Sequence, residues 1–403
     1  MKLAIYGGTP VRTTPFRTWP YYGKEEEINL LRALNHGQWW RMDGPENVAF
    51  ENEFAEYHGA YSALAVSNGT SALEIALLTL DIGPGDEVIV PAFTFISTSM
   101  AVQRVGAVAI AADIDLETYC LDVRSVESLI TERTKAIIPV HMSGAAADII
   151  GLKALADKHH LRIIHDAAHA HGMIYKGRRV GEWDDIACFS FQNFKLMTSG
   201  EGGALLFPNE ALREKAFRIH NCGRPQGDRK YQHSIVGSNY RLNEFSAAIL
   251  SAQLGRLPEQ NRLRDERGQM LDDAFAEIDG IIPQARPDEM DIHPKYMIMF
   301  RLDREILPNT DRSFVVDALI AEGLPAYRSY APIYWTDAYW QAPCPEGDRG
   351  QMALQCPNTE TIGSDGVWIH HRVLLEGEEA IDHISSAVKK VVAACLDSER
   401  KSA

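Results

Sequence analysis

Long hydrophobic runs are missing from this chain: no stretch of about 18 apolar residues occurs, which excludes a membrane-spanning helix. At the start, Met1-Lys2-Leu3-Ala4-Ile5-Tyr6 meets Gly7-Gly8 before an apolar segment of secretory length can form. No secretory signal is expected, and the expected location is cytoplasmic. Cysteine is scarce and scattered, at 120, 188, 222, 344, 356 and 395, with no C-x-x-C pair and no histidine at zinc spacing. That distribution argues against a disulfide framework and a structural zinc site, so reduced thiols and no metal are expected. Positive charge is in deficit, 40 Lys and Arg against 55 Asp and Glu, for a net charge of -15. With no basic stripe to offset it, this charge repels phosphate backbones, so no nucleic acid partner is expected. One small anion is a different matter, because backbone amides at a helix N-terminus can hold it whatever the net charge. Internal repeats and low-complexity linkers are absent too, which argues against domains swinging on a tether.

What is present has the composition of a soluble globular enzyme, 45% hydrophobic and 24% charged. A chain of 403 residues exceeds one ordinary core, so a larger domain over 1–260 and a smaller one over 261–403 are expected. Short β-branched runs alternate with helical patterns, the form taken by βαβ units and a mostly parallel sheet in an α/β fold. About seven strands are expected, at 63–66, 87–90, 107–112, 135–140, 162–166, 187–191 and 204–207. Helices are expected near 71–80, 95–105, 123–130 and 152–160. From 243 to 278, Phe245, Ile249, Leu250, Leu254 and Leu257 recur near the helical period, which predicts one long helix. Beyond it, strands at 296–302 and 367–370 and helices at 313–321 and 378–394 outline a compact α+β domain. Residues 400–403 are expected to be disordered.

Chemistry concentrates in three places. Ser190-Phe191-Gln192-Asn193-Phe194-Lys195 ends a strand and runs into Leu196-Met197-Thr198-Ser199-Gly200-Glu201-Gly202-Gly203, hanging a lysine in a glycine-rich loop. Apolar neighbours lower a lysine's pKa and make it nucleophilic toward an aldehyde, as a Schiff-base lysine requires. A lone lysine is more often an ordinary surface residue, so the neighbours carry the reading. The second place is His165-Asp166-Ala167-Ala168-His169-Ala170-His171-Gly172, where a strand delivers an aspartate among small residues. A buried acid needs a cationic partner, and a protonated pyridine nitrogen is one. Asp166 could instead cap a helix, and His169 could be a satisfied structural histidine rather than a ligand of the ring. The third place, Ser67-Asn68-Gly69-Thr70-Ser71, turns from strand to helix and offers free amides to a phosphate, although it also reads as an ordinary N-cap. Ser190 could add a hydroxyl. A metal site and a hydrolase triad are both weakly supported: no G-x-S-x-G surrounds Ser190, and the histidines lack H-E-x-x-H spacing.

These residues, with Gly7-Gly8-Thr9-Pro10-Val11, Pro91-Ala92-Phe93-Thr94-Phe95 and Gly237-Ser238-Asn239-Tyr240-Arg241-Leu242, resemble the DegT/StrS family of fold type I pyridoxal 5'-phosphate (PLP) aminotransferases. The resemblance runs nearly end to end. It implies Lys195 as the Schiff-base lysine and proton shuttle, Asp166 on the pyridine nitrogen, Phe95 stacked on the ring, and Gly69, Thr70 and Ser190 on the phosphate. It also implies that a residue matching Asn239 reaches the phosphate of a neighbouring subunit, so that a homodimer shares its active sites. Further motifs are similar to the branch of the family that makes 3-amino-5-hydroxybenzoate by dehydration and aromatisation. These are Gly37-Gln38-Trp39-Trp40-Arg41-Met42, Asn221-Cys222-Gly223-Arg224-Pro225 and Trp368-Ile369-His370-His371-Arg372, together with His169. Phe194 and Ser199 depart from that branch, and the Gly-Gly-Thr-Pro-Val start is more like the sugar and cyclitol enzymes.

The expected activity is therefore transfer of an amino group from glutamine or glutamate to a keto sugar or ketocyclitol in secondary metabolism. Dehydration and aromatisation of an amino-dehydroshikimate is the alternative, and a non-catalytic sensor or partner subunit is a third. Both chemistries rest on PLP and on proton removal by Lys195. Trp40 and Arg41 are expected at the substrate mouth, although a Trp pair can also be a structural wedge.

Overall fold

The computed structural model describes residues 2–402. Seven strands make the central sheet: β1 (Ser62–Val66), β2 (Glu87–Pro91), β3 (Val108–Ala112), β4 (Thr134–Ile137), β5 (Arg162–Asp166), β6 (Ile186–Ser190) and β7 (Gly203–Phe207). Their spatial order is β1-β7-β6-β5-β4-β2-β3, parallel except for β7, which runs antiparallel to both β1 and β6. Every residue of β2, β6 and β7 is buried, as a sheet covered on both faces requires. Alternation decides which core each residue enters. Ala63, Ala65 and Ile89 face one cluster, and Leu64, Val66, Val88 and Val90 face the other.

The expected elements are present with shifted ends. The helix after β1 spans Gly69–Thr79, two residues ahead of expectation, because Asn68 caps it with an Oδ1 that accepts the Ser71 amide at 2.8 Å. The helix expected from 95 begins at Ser97 (Ser97–Arg104), and β4 stops at Ile137, short of Pro139, which has no N–H for a ladder. A 33-residue helix, Glu244–Ala276, continues through Pro258 and through the boundary expected at 260/261.

Beyond that helix, β8 (Ile281–Pro283), β9 (Met297–Leu302), β10 (Ala326–Arg328) and β11 (Gly366–His370) form an antiparallel sheet in the order β8-β9-β11-β10. Helices Arg312–Ala321 and Glu378–Ser402 pack on it around a third core. Leu3 and Phe16, from the other end of the chain, belong to this third core. Glu322 fastens them there: its carboxylate accepts the amides of Ala4 at 2.8 Å and Val11 at 2.9 Å. The closing helix runs past 394, where it was expected to end, because Val388, Val391, Val392 and Cys395 keep an apolar stripe on the core. Arg400 and Lys401 are thus helical rather than disordered, while Ala403 lies outside the described residues.

Helix Glu46–His58 braces the strand that leads to the lysine loop. Phe54 is fully buried and meets Phe189 of β6 edge-on at 5.0 Å and Phe191 at 5.5 Å. Phe54→Ala is expected to cost about 3–5 kcal/mol of unfolding free energy, read as a lower denaturant midpoint.

Candidate active site

The C-terminal ends of the parallel strands open into a cavity of ≈ 710 Å³, the usual position for a site in an open α/β sheet. From β1 come Asn68, Gly69 and Thr70; from β5, Asp166 and His169; from β6, Ser190, Gln192 and Lys195. The small sheet closes the other side with Tyr296, Tyr327, Tyr330 and Trp368.

At the first turn the helix N-terminus lies close against β6. A Cβ on Gly69 would come within 2.7 Å of the Ser190 Cβ, and one on Gly203 within 2.5 Å of the Asn68 backbone. Only glycine permits that approach. Thr70 Oγ1 donates to Ser97 Oγ at 2.9 Å. Hydroxyls and a helix N-terminus therefore gather at one edge of the cavity, a donor set suited to a phosphate.

Asp166 is buried in the cavity wall. Its Oδ2 accepts the Thr98 hydroxyl at 2.9 Å, and its Oδ1 accepts the Ala168 amide at 3.2 Å. Burial raises its pKa, opposed by the Thr98 and Ala168 hydrogen bonds and the charge of Lys195. Lys195 is displaced the other way. Its Nζ stands over the Tyr296 ring, 4.5 Å from the centroid, and burial pushes its pKa down to about 8, with Asp166 resisting. At neutral pH a useful fraction of this amine is unprotonated and nucleophilic.

His169 stacks on Tyr296 at 4.2 Å and 23°. Burial first and the Lys195 charge second hold its pKa well below 6.5, so the ring is neutral. The Ser143 amide donates to Nδ1 at 3.4 Å, which places the proton on Nε2. Phe95 lines the cavity with 54% of its surface exposed and faces Tyr330 at 6.0 Å. Tyr327 and Trp368, opposite each other in the small sheet, stack at 4.4 Å and 20° at the rim. Phe194, the unexpectedly bulky residue before the lysine, is also in this wall.

Of the residues named from the sequence, Lys195, Gly69, Thr70, Phe95, Asp166, His169 and Ser190 meet around the one cavity. Asn239 does not: it is exposed, and its Oδ1 accepts the Arg241 amide at 3.4 Å. Trp40 and Arg41 line a separate surface hollow. Arg41 is buried and reaches both carboxylate oxygens of Glu51, at 2.7 and 2.8 Å, which corrects its expected place at the substrate mouth of this chain. Glu51 Oε1 also accepts the Ala65 amide, so the pair braces β1. Thr98, Tyr296 and Tyr330 were missed. Thr98 follows the Phe93-Thr94-Phe95 motif by one helical turn and was within reach of a spacing argument; the tyrosines carry no local signal.

With this geometry in place, a family model described as the DegT/DnrJ/EryC1/StrS aminotransferase family matches residues 22–389. The chain belongs to that family. Among relatives of this family enzyme, the 3-amino-5-hydroxybenzoate synthase of Amycolatopsis mediterranei is 50% identical over 380 residues, covering 94% of this chain and 97% of the relative. The L-glutamine:2-deoxy-scyllo-inosose aminotransferase of Streptomyces paromomycinus is 35% identical, covering 97% of each chain. A crystal structure of a 3-amino-5-hydroxybenzoic acid synthase superposes with a TM-score of 0.91 at 49% identity, covering 96% of this chain and all of the other (100%). The fold is that of the PLP-dependent aminotransferases, PLP is the family's cofactor, and the chain is an enzyme of that kind acting on small molecules. No described helix is long and apolar enough to cross a membrane. The cavity fits this cofactor: a lysine with a depressed pKa, a buried carboxylate without an ion-pair partner among the described residues, and a glycine cradle that a Cβ would fill.

The lysine makes the first test. Modification of Lys195 in the cofactor-free protein by an amine-selective reagent, followed by mass spectrometry across pH, is expected to rise with a midpoint near 8 rather than 10.5. Burial disfavours the ammonium form, so reactivity develops as pH rises through the lower value.

Proposed function

We propose that this enzyme acts on a small six-membered ring in secondary metabolism, removing water from an amino-dehydroshikimate to give 3-amino-5-hydroxybenzoate. The observation that carries the reading is the 50% identity, spread over 94% of the chain, to a synthase of that product, against 35% for a scyllo-inosose aminotransferase. The flat aromatic rim formed by Tyr327 and Trp368 supports it, because such surfaces favour planar rings.

In this reading Lys195 would anchor the cofactor covalently, Asp166 would pair with its pyridine nitrogen, Phe95 and His169 would cover the ring, and Gly69, Thr70 and Ser190 would hold its phosphate. PLP bound there supplies an electron sink for the carbon beside the substrate's amine. The Lys195 amine, once free, takes the proton from that carbon, and the adjacent hydroxyl leaves as water. A proton then leaves the remaining ring CH2 and one is added to the keto oxygen, so the ring becomes aromatic with net loss of one water and no donor consumed. A second reading keeps the same residues and passes an amine from glutamine or glutamate to a ketocyclitol or keto sugar. The Gly7 to Val11 start and the L-glutamine-dependent relatives favour it.

The active unit proposed is a homodimer in the cytoplasm, with Asn239 of the partner subunit completing the phosphate site. Asn239 is exposed and does not line its own cavity, and Trp39 and Trp40 leave 51% and 44% of their surfaces uncovered, as an interface would.

Two experiments test these readings. Incubation of the PLP-loaded enzyme with an amino-dehydroshikimate alone is expected to release an ultraviolet-absorbing aminobenzoate. No product there, with amine exchange between glutamine and a ketocyclitol instead, would move the second reading to the front; loss of neither substrate would overturn both. For the dimer, Lys195→Ala and Asn239→Ala proteins, each expected to have at most a few per cent of activity, are unfolded together and refolded. Recovered activity is the expected outcome, and heterodimers that stay inactive would remove Asn239 from the shared site.

A further inference from the structure

The lysine loop has little regular structure of its own. Lys195 N–H bonds Gln192 O at 2.8 Å, and Thr198 Oγ1 donates to Phe191 O at 2.8 Å, but the stretch between belongs to no helix or strand. Its backbone carbonyls are held from outside. Trp19 Nε1 donates to Asn193 O at 2.8 Å, His371 Nε2 to Phe194 O at 3.0 Å, and Arg264 Nη2 to Leu196 O at 3.4 Å. These donors come from the N-terminal segment, from the turn after β11 and from the long helix. They also touch one another: Trp19 meets the His371 ring edge-on at 4.6 Å, and the Arg264 guanidinium lies 5.6 Å from the Trp19 ring.

We infer that Trp19, His371 and Arg264 are positioning residues that clamp the Lys195 loop and thereby set where the lysine amine stands. This inference rests on the reading of Lys195 as the residue that bonds the cofactor. Arg264 is fully buried and forms no ion pair with any acid among the described residues. Burying a cation without one is costly, and a methionine would fill the same volume more cheaply. Its bonds show a use for the cost. One Nη reaches Leu196 O, the other Asn261 Oδ1 at 2.9 Å; Asn261 Nδ2 donates to His171 O at 2.7 Å, and His171 Nε2 to Ser190 O at 2.9 Å. Through these links the helix ties the segment after Asp166 to the segment before Lys195, the two arms whose spacing the chemistry needs. His371 is specialised to donate, because burial keeps it neutral and Phe194 O can only accept, so its proton is on Nε2 and Nδ1 is left bare.

The test measures cofactor capture rather than turnover. Full-length protein freed of cofactor is mixed with PLP, and covalent attachment is followed by absorbance, with borohydride reduction and peptide mapping to locate the modified lysine. Trp19→Phe, which keeps the ring and deletes one N–H, His371→Leu and Arg264→Met are expected to slow attachment at Lys195 by about 10- to 100-fold, the range seen when supporting hydrogen bonds to reactive groups are lost. His371→Gln, which restores an N–H donor at similar reach, is expected to recover most of the rate. Because the three donors act on one loop, Trp19→Phe combined with Arg264→Met is expected to slow it by much less than the product of the two. Capture at the wild-type rate by folded Trp19→Phe and His371→Leu proteins would overturn the clamp, and these two decide the matter should Arg264→Met fail to fold. Mapping of PLP to a different lysine would instead overturn the proposed role of Lys195, a separate failure.

Discussion

The site depends on a buried acid held from one side only. Asp166 ends the central strand of the sheet, receives a hydroxyl from Thr98 and an amide from Ala168, and has no cation bonded to it among the described residues. Two hydrogen bonds fix the orientation of the carboxylate without repaying the loss of water around a full charge, and its raised pKa reports the deficit. Such a group either keeps a proton or is completed by a positive charge, and it lines the cavity where that charge could arrive. Lys195 is displaced in the complementary sense, an amine made reluctant to hold its proton. One environment, buried and lined by aromatic rings, produces both shifts.

Much of this was legible in the sequence, for identifiable reasons. Strand positions followed from β-branched runs; Asp166 ends a strand and Gly69 and Lys195 follow strand ends, where a parallel sheet gathers its loops. What was illegible is contact between distant segments. Tyr296 under Lys195, Tyr330 beside Phe95 and Arg264 behind the loop follow from how the small sheet and long helix dock, and nothing in their neighbours reveals it. The antiparallel β7 was equally hidden, since a continuous apolar run reads the same in either direction.

Arg41 shows the opposite error, a motif that carried more than its chemistry. It stands in a tryptophan-rich stretch of the kind that surrounds substrate mouths, yet its guanidinium is consumed by Glu51 inside the core. Glu51 itself has a raised pKa from burial, moderated by Arg41, which is the signature of a pair that braces rather than binds. Trp40, next to it, remains on the surface near Arg241, outside this cavity.

The fastening of Leu3 and Phe16 into the third core has a consequence for how the molecule is made. These residues leave the ribosome ahead of the central sheet, but the core they join includes Val388, Val391 and Val392 of the helix Glu378–Ser402, which leave it after the sheet. The Glu322 carboxylate that accepts the Ala4 and Val11 amides is likewise synthesised late. The central sheet can gather its strands in order as they emerge, whereas Leu3 and Phe16 must wait until Glu322 and the helix carrying Val388, Val391 and Val392 have been made. Trp19 lies just behind that segment, so the contacts that form late on the nascent chain include the one that braces the Lys195 loop.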